Sequence, residues 1–313
     1  MKDKLVTIVT PTYNRARTLI NCYKSLREQT SKNFLWMIID DGSTDDTQEK
    51  VSEWILEDVI KIQYKRKENG GKVSALNFSL EFCITELWVC LDSDDIFVNN
   101  AIEIIELKYL DIKNQDNVAG LLSLRVNKFG DVIGGKRIPI DRQYSKILDL
   151  KYFDKINSET VLVFKSKIIK KYPYPIIEGE KFFPLGYIFY QIDEEYIFYV
   201  VQNTLMIGEY LGDGISSNKN SLIIKNPKGY VIAKKQSIKR APNLYWKTRE
   251  TITYISGNFL IKNMKLHNII QDSPARLLTI VLFPFGYFYY IYRFKNKVAN
   301  VIMDKSLLKR NGF

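Results

Sequence analysis

Three carboxylates, Asp92, Asp94 and Asp95, fall within four positions directly after the apolar run Leu87-Trp-Val-Cys-Leu91. Like charges packed this closely repel one another unless a cation stands against them. Hard divalent cations prefer oxygen donors, and Mg²⁺ characteristically takes one or two carboxylates together with substrate phosphates. The chemistry implied is a metal-bridged diphosphate, with the cation neutralising a leaving group during transfer. An EF-hand is excluded, because the sixth position counted from Asp92 is Phe97 where that loop requires glycine. Three more polar clusters follow apolar runs in the same way. They are Pro11-Thr-Tyr-Asn-Arg15, Asp40-Asp41-Gly-Ser43 and Asn69-Gly-Gly-Lys72; the glycines of the last permit close backbone approach and its lysine offers a cation. Asp45 and Asp46 read instead as solvated acids in the first turn of a helix.

The runs that carry these clusters read as strands: residues 5–11, 34–41, 60–65 and 87–91 are short and rich in β-branched and aromatic residues. Helical segments separate them. One spans 17–30 with Leu19, Tyr23 and Leu26 near one face, one is capped by Ser43 or Thr44 with Val51, Trp54 and Ile55 inward, and one spans 72–83. Alternation of this kind predicts a parallel α/β sheet covered on both faces. Ligands of such sheets bind beyond the carboxyl ends of the strands, so the four clusters should converge on one cleft. Farther on, residues 118–126 and 160–166 read as strands with a turn at 130–135, and 180–192 as a helix interrupted by Pro184. Residues 195–201 and 204–211 read as a further strand pair. The polar stretch 212–220 marks the expected boundary between a domain of 1–213 and a mainly helical region of 214–313.

Charge divides at the same place. Residues 214–313 hold 18 Lys/Arg against three acids, a balance of +15, leaving 28 bases against 32 acids in the rest. Nucleic acid and the anionic membrane leaflet are the usual partners of so basic a segment. Within it, 277–292 is an uncharged run flanked by Arg276, Arg293, Lys295 and Lys297, rich in Tyr and Phe and interrupted at Pro284-Phe-Gly286. It is short for a spanning helix, and its composition predicts a segment lying in the membrane interface; a buried core helix is the alternative. Cys22, Cys83 and Cys90 have no metal-ligand spacing and read as reduced packing residues. The first residues lack the features of a secretory signal, so a cytoplasmic location at the inner membrane face is expected.

Together, "TIVTPTYNR", "IIDDGSTDDT", "NGGKVSALN" and "LDSDD" resemble the nucleotide-binding half of a family 2 glycosyltransferase of the GT-A fold. The resemblance is strong over residues 5–100 and looser to 213, especially to bacterial enzymes that build capsular or other surface polysaccharides. It implies a Rossmann-like mixed sheet and a UDP-sugar donor, held by Pro11, Tyr13, Asn14, Arg15, Asp41, Lys72, Asn77, Asp92 and Ser93. Tyr13 would lie against the base and Asp41 would accept the uracil N–H. Asp94, with Asp92 and Asp95, would hold Mn²⁺ or Mg²⁺. Tyr13 reads alternatively as a core aromatic and Asn77 as a residue on a helix face.

Most such enzymes invert the anomeric centre, so a carboxylate must take the proton of the acceptor hydroxyl. The resemblance places it in Glu178-Gly-Glu-Lys-Phe-Phe183, with Glu180 as base, Glu178 in reserve and Asp193 a distant third. Lys181 stands where the commoner pattern has aspartate, and Glu180 reads alternatively as a helix N-terminal acid. His267, the single histidine, reads as a surface or packing residue rather than a metal ligand, and Trp246 as an acceptor-stacking ring or an anchor. The expected acceptor is a glycan or an undecaprenyl-diphosphate-linked glycan. A nucleic-acid-binding protein is the competing reading of the basic third, but no recognisable binding module accompanies it. A sugar-nucleotide pyrophosphorylase is a second competitor, but the basic, Gly-rich N-terminal phosphate loop of those enzymes is absent from this sequence.

Overall fold

The computed structural model describes residues 4–208 and 219–295. The chain divides into two compact units, Met1–Tyr174 with Ile188–Glu209, and Pro175–Tyr187 with Tyr210–Phe313. The boundary expected at residue 213 lies outside the described residues.

The first unit begins with β1 (Val6–Thr12), α1 (Ala16–Arg27), β2 (Phe34–Asp40), α2 (Thr47–Glu57), β3 (Ile62–Arg66), α3 (Lys72–Phe82) and β4 (Leu87–Cys90). It continues through β5 (Asp95–Phe97), α4 (Ala101–Ile112), β6 (Val118–Leu124), β7 (Tyr144–Ser145), α5 (Ile147–Tyr152), β8 (Thr160–Lys165) and α6 (Ser166–Ile169). The last elements are α7 (Gly186–Glu195), β9 (Ile197–Val200) and β10 (Met206–Gly208). The main sheet has the order β3-β2-β1-β4-β8-β6-β9-β7. The first four strands are parallel, as the alternation predicts, and β8 then runs antiparallel to β4, which makes the sheet mixed.

β1 and β2 are buried along their whole length, which explains their unbroken apolar runs: each is covered on both faces. Tyr23 of α1, Trp36 of β2 and Trp54 of α2 stack on one side, and Trp36 Nε1 donates to Thr10 Oγ1 at 2.9 Å. Gly120 stands where β6 meets β8 so closely that a Cβ would collide with the Val163 carbonyl. Lys165, buried at the end of β8, donates to the carbonyls of Ile112 and Gln115 at 2.7 Å each and so caps the end of α4.

Two expectations are corrected. Among the described residues, 195–201 and 204–208 do not pair with one another. β9 enters the main sheet beside β6, while β10 pairs antiparallel with β5, a strand the sequence did not suggest. The physical reason is burial: Phe97 and Met206 enter the same core cluster, and only a return of the chain to the end of β4 achieves that. The helix expected from residue 180 begins only at Gly186, because Pro184 has no N–H to give and restricts the residue before it.

The second unit contains α8 (Lys219–Lys225), α9 (Pro227–Lys239), α10 (Leu244–Asn258), α11 (Leu266–Gln271) and α12 (Arg276–Tyr290), continued as a π-helical turn over Ile291–Lys295. Val231, Ile238, Tyr254, Ile255 and Ile269 form its core, with Leu282 and Phe283 of α12 packed on it. Gly286 lets α12 approach α10, since a Cβ there would lie 2.5 Å from Ile255 Cβ. Arg276–Lys295 is long and apolar enough to cross a membrane by length and composition, and much of its apolar surface is exposed, unlike that of a buried core helix.

Candidate active site

The acidic loop begins where β4 ends. Leu91 N–H still bonds to the Val9 carbonyl at 2.9 Å, and Asp95 N–H closes a turn onto the Asp92 carbonyl at 3.0 Å. Behind the loop, buried Cys22 of α1 directs its Sγ at the carbonyls of Asp92 and Asp95, 3.4 and 3.0 Å away. Carboxylate oxygens of Asp92, Asp94 and Asp95 lie within 4.8 Å of one another. Asp92 is gripped by Lys72 Nζ, 2.6 Å from Oδ1 and 2.7 Å from Oδ2. Burial pushes the Asp92 carboxyl up, but Lys72 and its hydrogen bond outweigh this and hold it below the usual range. Asp95 is 2% exposed and ion-paired to Arg125, whose other nitrogen reaches Glu159 at 2.8 Å. Asp94 is half-buried, and desolvation together with the Asp92 charge pushes it up. Burial and the neighbouring Asp92 push Asp95 further, to about 8, against the pull of Arg125.

These contacts set the three loop carboxylates and Glu159 against Lys72 and Arg125, and Arg15 also acts on Asp94. A divalent cation would offset the repulsion among the loop acids, and three carboxylates on one loop form the oxygen donor set that Mg²⁺ or Mn²⁺ takes. The site fits such an ion.

The loops after β1, β2 and β3 meet beside one another. Asp41 N–H bonds to the Thr12 carbonyl, and the Asp41 carboxylate is nearly buried, accepting from Lys67 Nζ (2.9 Å), Gly70 N–H (2.9 Å) and Gly71 N–H (2.7 Å). A carboxylate offers about four lone-pair sites, so three bonds leave one for a further donor. Asn14 adopts a left-handed φ of 52° and ties two loops together. Its N–H bonds to Ser43 Oγ at 3.0 Å, while its Oδ1 accepts Thr44 N–H at 2.7 Å. Asp45 is more than a solvated acid: it accepts Ala16 N–H at 3.1 Å and Thr47 Oγ1 at 2.6 Å. Burial raises its carboxyl, and the Thr47 and Ala16 hydrogen bonds more than reverse this, leaving it below the ordinary value.

Pro11 lies inside β1, buried and opposite Ile39; Ser93 is buried and Arg15 is half-buried at the N-cap of α1. Tyr13 is 48% exposed, which rules out the core-aromatic alternative. Asn77 makes a reciprocal pair with the backbone of Tyr174, Nδ2 to O at 2.8 Å and N–H to Oδ1 at 2.9 Å. Asp193 is buried and accepts the N–H groups of Ile147 and Leu148 at the start of α5. In the second unit, the Glu180 oxygens accept Lys228 N–H and Gly229 N–H at 2.8 Å each, closing the first turn of α9. Glu178 is exposed one turn earlier. His267 is exposed on α11, and Trp246 is half-buried beneath the Arg249 guanidinium, 5.1 Å from its ring centre.

Sequence reasoning missed Arg125, Glu159, Lys67 and Cys22. Lys67 had a signal, since "KRKENGGK" sets it next to the glycine turn. Arg125 had none: it stands 30 positions beyond Asp95 on an apolar strand end.

The sequence profile described as glycosyl transferase family 2 matches residues 7–172, just over half of the chain. An uncharacterized glycosyltransferase of Rickettsia conorii is 39% identical over 114 residues, 36% of this chain and 18% of that protein. The UDP-Glc:α-D-GlcNAc-diphosphoundecaprenol β-1,3-glucosyltransferase WfgD of Escherichia coli is 34% identical over 103 residues, 33% of this chain and 40% of that one. The chain thus spans between about a fifth and two fifths of the length of these curated relatives. Among solved structures, Staphylococcus aureus TarS 1–349 in complex with UDP-GlcNAc superposes with a TM-score of 0.58 at 15% identity, over 97% of this chain and 92% of that one. That likeness identifies the mixed sheet as the GT-A fold.

Proposed function

We propose, from the premise that this chain belongs to glycosyl transferase family 2 and is a glycosyltransferase, that its donor is a UDP-sugar and that transfer inverts the anomeric centre with the help of Mn²⁺ or Mg²⁺. The acceptor is a hydroxyl of a glycan or of an undecaprenyl-diphosphate-linked glycan, met at the inner face of the cell membrane in surface-polysaccharide synthesis. The observation that carries this reading is the cluster of three carboxylates on the Asp92–Asp95 loop, beside an Asp41 carboxylate with one acceptor site left.

Asp41 takes the uracil N–H at that remaining site, and the exposed Tyr13 ring covers the base. Asn14 and Arg15 line the nucleoside, and Lys72 turns from Asp92 towards the diphosphate as the donor enters. Asp94 and Asp92 hold the cation, while Asp95 is kept in place by Arg125. When bound, the cation neutralises the departing UDP. Glu180, whose oxygens also accept the first N–H groups of α9, takes the proton of the acceptor hydroxyl, and exposed Glu178 is second. The E. coli relative's name specifies a UDP-glucose donor and a diphosphoundecaprenol-linked acceptor, and the S. aureus relative is complexed with UDP-GlcNAc; both support this substrate class.

The test is a screen of UDP-sugars for binding and for Mn²⁺-dependent hydrolysis. Asp94→Asn should abolish metal-dependent turnover. Glu180→Gln should bind UDP normally and transfer nothing. Absence of UDP-sugar binding with and without metal refutes the donor assignment, and full activity of Glu180→Gln moves the base to Glu178.

A further inference from the structure

α12 has two opposite faces. Ala275, Thr279, Leu282, Phe283, Gly286 and Tyr290 recur at helical spacing and point at the core of the second unit; Thr279 and Gly286 are fully covered. On the other side Leu277 (82% exposed), Val281 (67%), Phe285 (60%), Phe288 (67%) and Tyr292 (88%) form an uninterrupted apolar stripe four turns long. Stable soluble surfaces rarely leave so continuous an apolar patch uncovered. Its surroundings are cationic. Residues 219–295 contain 14 Lys/Arg and two acids, and both acids are already paired, Glu250 with Lys234 at 2.7 Å and Asp272 with Lys235 at 3.3 Å. Where the stripe starts, Leu244, Lys247, Arg276 and Leu277 line an open groove of about 610 Å³, two cations beside apolar walls.

We propose that α12 lies flat in an anionic phospholipid surface, with the Leu277–Tyr292 stripe facing the acyl chains and Lys247 and Arg276 meeting lipid phosphates in the groove. This rests on the membrane-face reading above and adds which side of the helix enters, and that it does not span. Length alone permits spanning, since 20 residues cover about 30 Å. The packing does not permit it. A spanning α12 would draw in α10, against which Gly286 is locked at Ile255, and α10 carries Lys247, Arg249 and Glu250. A helix apolar on one side, ringed by cations and anchored on the other side to charged helices enters only as deep as its exposed stripe, about 5–10 Å.

The experiment uses the full chain with vesicles of phosphatidylglycerol in phosphatidylcholine and with phosphatidylcholine alone. The chain should bind the anionic vesicles, and less in high salt. Val281→Glu/Phe285→Glu/Phe288→Glu, all exposed positions, should lower vesicle partitioning by more than about tenfold, with unchanged circular dichroism and unchanged UDP binding. Lys247→Gln/Arg276→Gln should lose the preference for anionic over neutral vesicles. Fluorophores at positions 277, 285 and 292 should all be quenched by shallow rather than deep nitroxide lipids, and 277 and 292 should be shielded alike from a soluble quencher added on the binding side. Opposite-side accessibility of 277 and 292 overturns the flat orientation in favour of spanning. Salt-sensitive binding that the triple variant keeps overturns the stripe while leaving membrane attachment through charge intact. A wild-type dimer that the triple variant abolishes, without vesicle binding, assigns the face to a second copy and overturns both. Nucleotide binding is read separately, so none of these failures is confused with failure of the donor assignment.

Discussion

Arg125→Met removes the guanidinium that stands between Asp95 and Glu159. Asp95 is 2% exposed, and above about pH 8, where its carboxyl is ionised, its charge would be left without a partner beside Asp92 and Asp94. Truncating one partner of a buried ion pair costs about 3–5 kcal/mol, more than the pair itself contributes, because the survivor stays desolvated. At roughly 2–4 °C per kcal/mol, Tm in EDTA should fall by about 6–20 °C. Mn²⁺ should recover a larger part of that loss than it adds to the wild type, since a divalent ion on Asp92, Asp94 and Asp95 replaces the missing positive charge. The double variant Arg125→Met/Asp95→Asn should be more stable in EDTA than Arg125→Met alone, because neutralising both partners removes the unpaired charge. Glu159→Gln is the control: its side chain is 29% exposed, and about 1 kcal/mol is expected. Thermal unfolding by circular dichroism reads all of these. A single variant within about 2 °C of wild type in EDTA, or a double variant no more stable than the single one, refutes the charge reasoning.

Three further substitutions separate binding from scaffolding. Asp41→Asn should weaken UDP binding by about 10–100-fold in calorimetry, the worth of one hydrogen bond to a charged group; unchanged affinity would reduce Asp41 to a loop anchor. Asn77→Ala should cost about 1–3 kcal/mol through the unpaired Tyr174 backbone groups while leaving the UDP Kd within about twofold, and a large loss of affinity would restore its expected nucleotide role. Burial pushes the Asp193 carboxyl up to about 6 despite two backbone N–H donors. The folded state therefore keeps a proton that the unfolded chain loses from about pH 4. This contribution to stability is present below about pH 4 and lost as pH rises through about 6. Relative to Asp193→Asn, the wild type should gain up to about 2–3 kcal/mol between pH 7 and pH 4. Parallel stability curves would show that Asp193 does not carry the effect.

The first four strands, their order of types and the acids at their ends were legible because each signal is local. An apolar run followed by polar residues needs no partner to be recognised, and a parallel sheet brings such ends to one edge. The tight turn around Asp41 could also be anticipated, since Gly70 and Gly71 lie next to one another in the sequence. Illegible were the strands that take their partners from afar. Residues 204–208 read as an isolated β segment whatever they pair with, and only burial of Met206 beside Phe97 selects β5.

The same division runs through the site. Composition and spacing alone determined that a carboxylate-rich, strand-end site exists, that it favours a divalent ion, and that the basic excess lies in the last third. Tertiary structure decided which charges are compensated: Lys72 on Asp92, Arg125 on Asp95, and the residual acid on half-buried Asp94. It also decided that Glu180 closes a helix turn 48 residues away, and which side of α12 stays bare. The physical reason is one of range. Side-chain type and period act within a few residues, whereas desolvation and ion pairing depend on whichever group folding brings within 3 or 4 Å, and sequence distance carries no information about that.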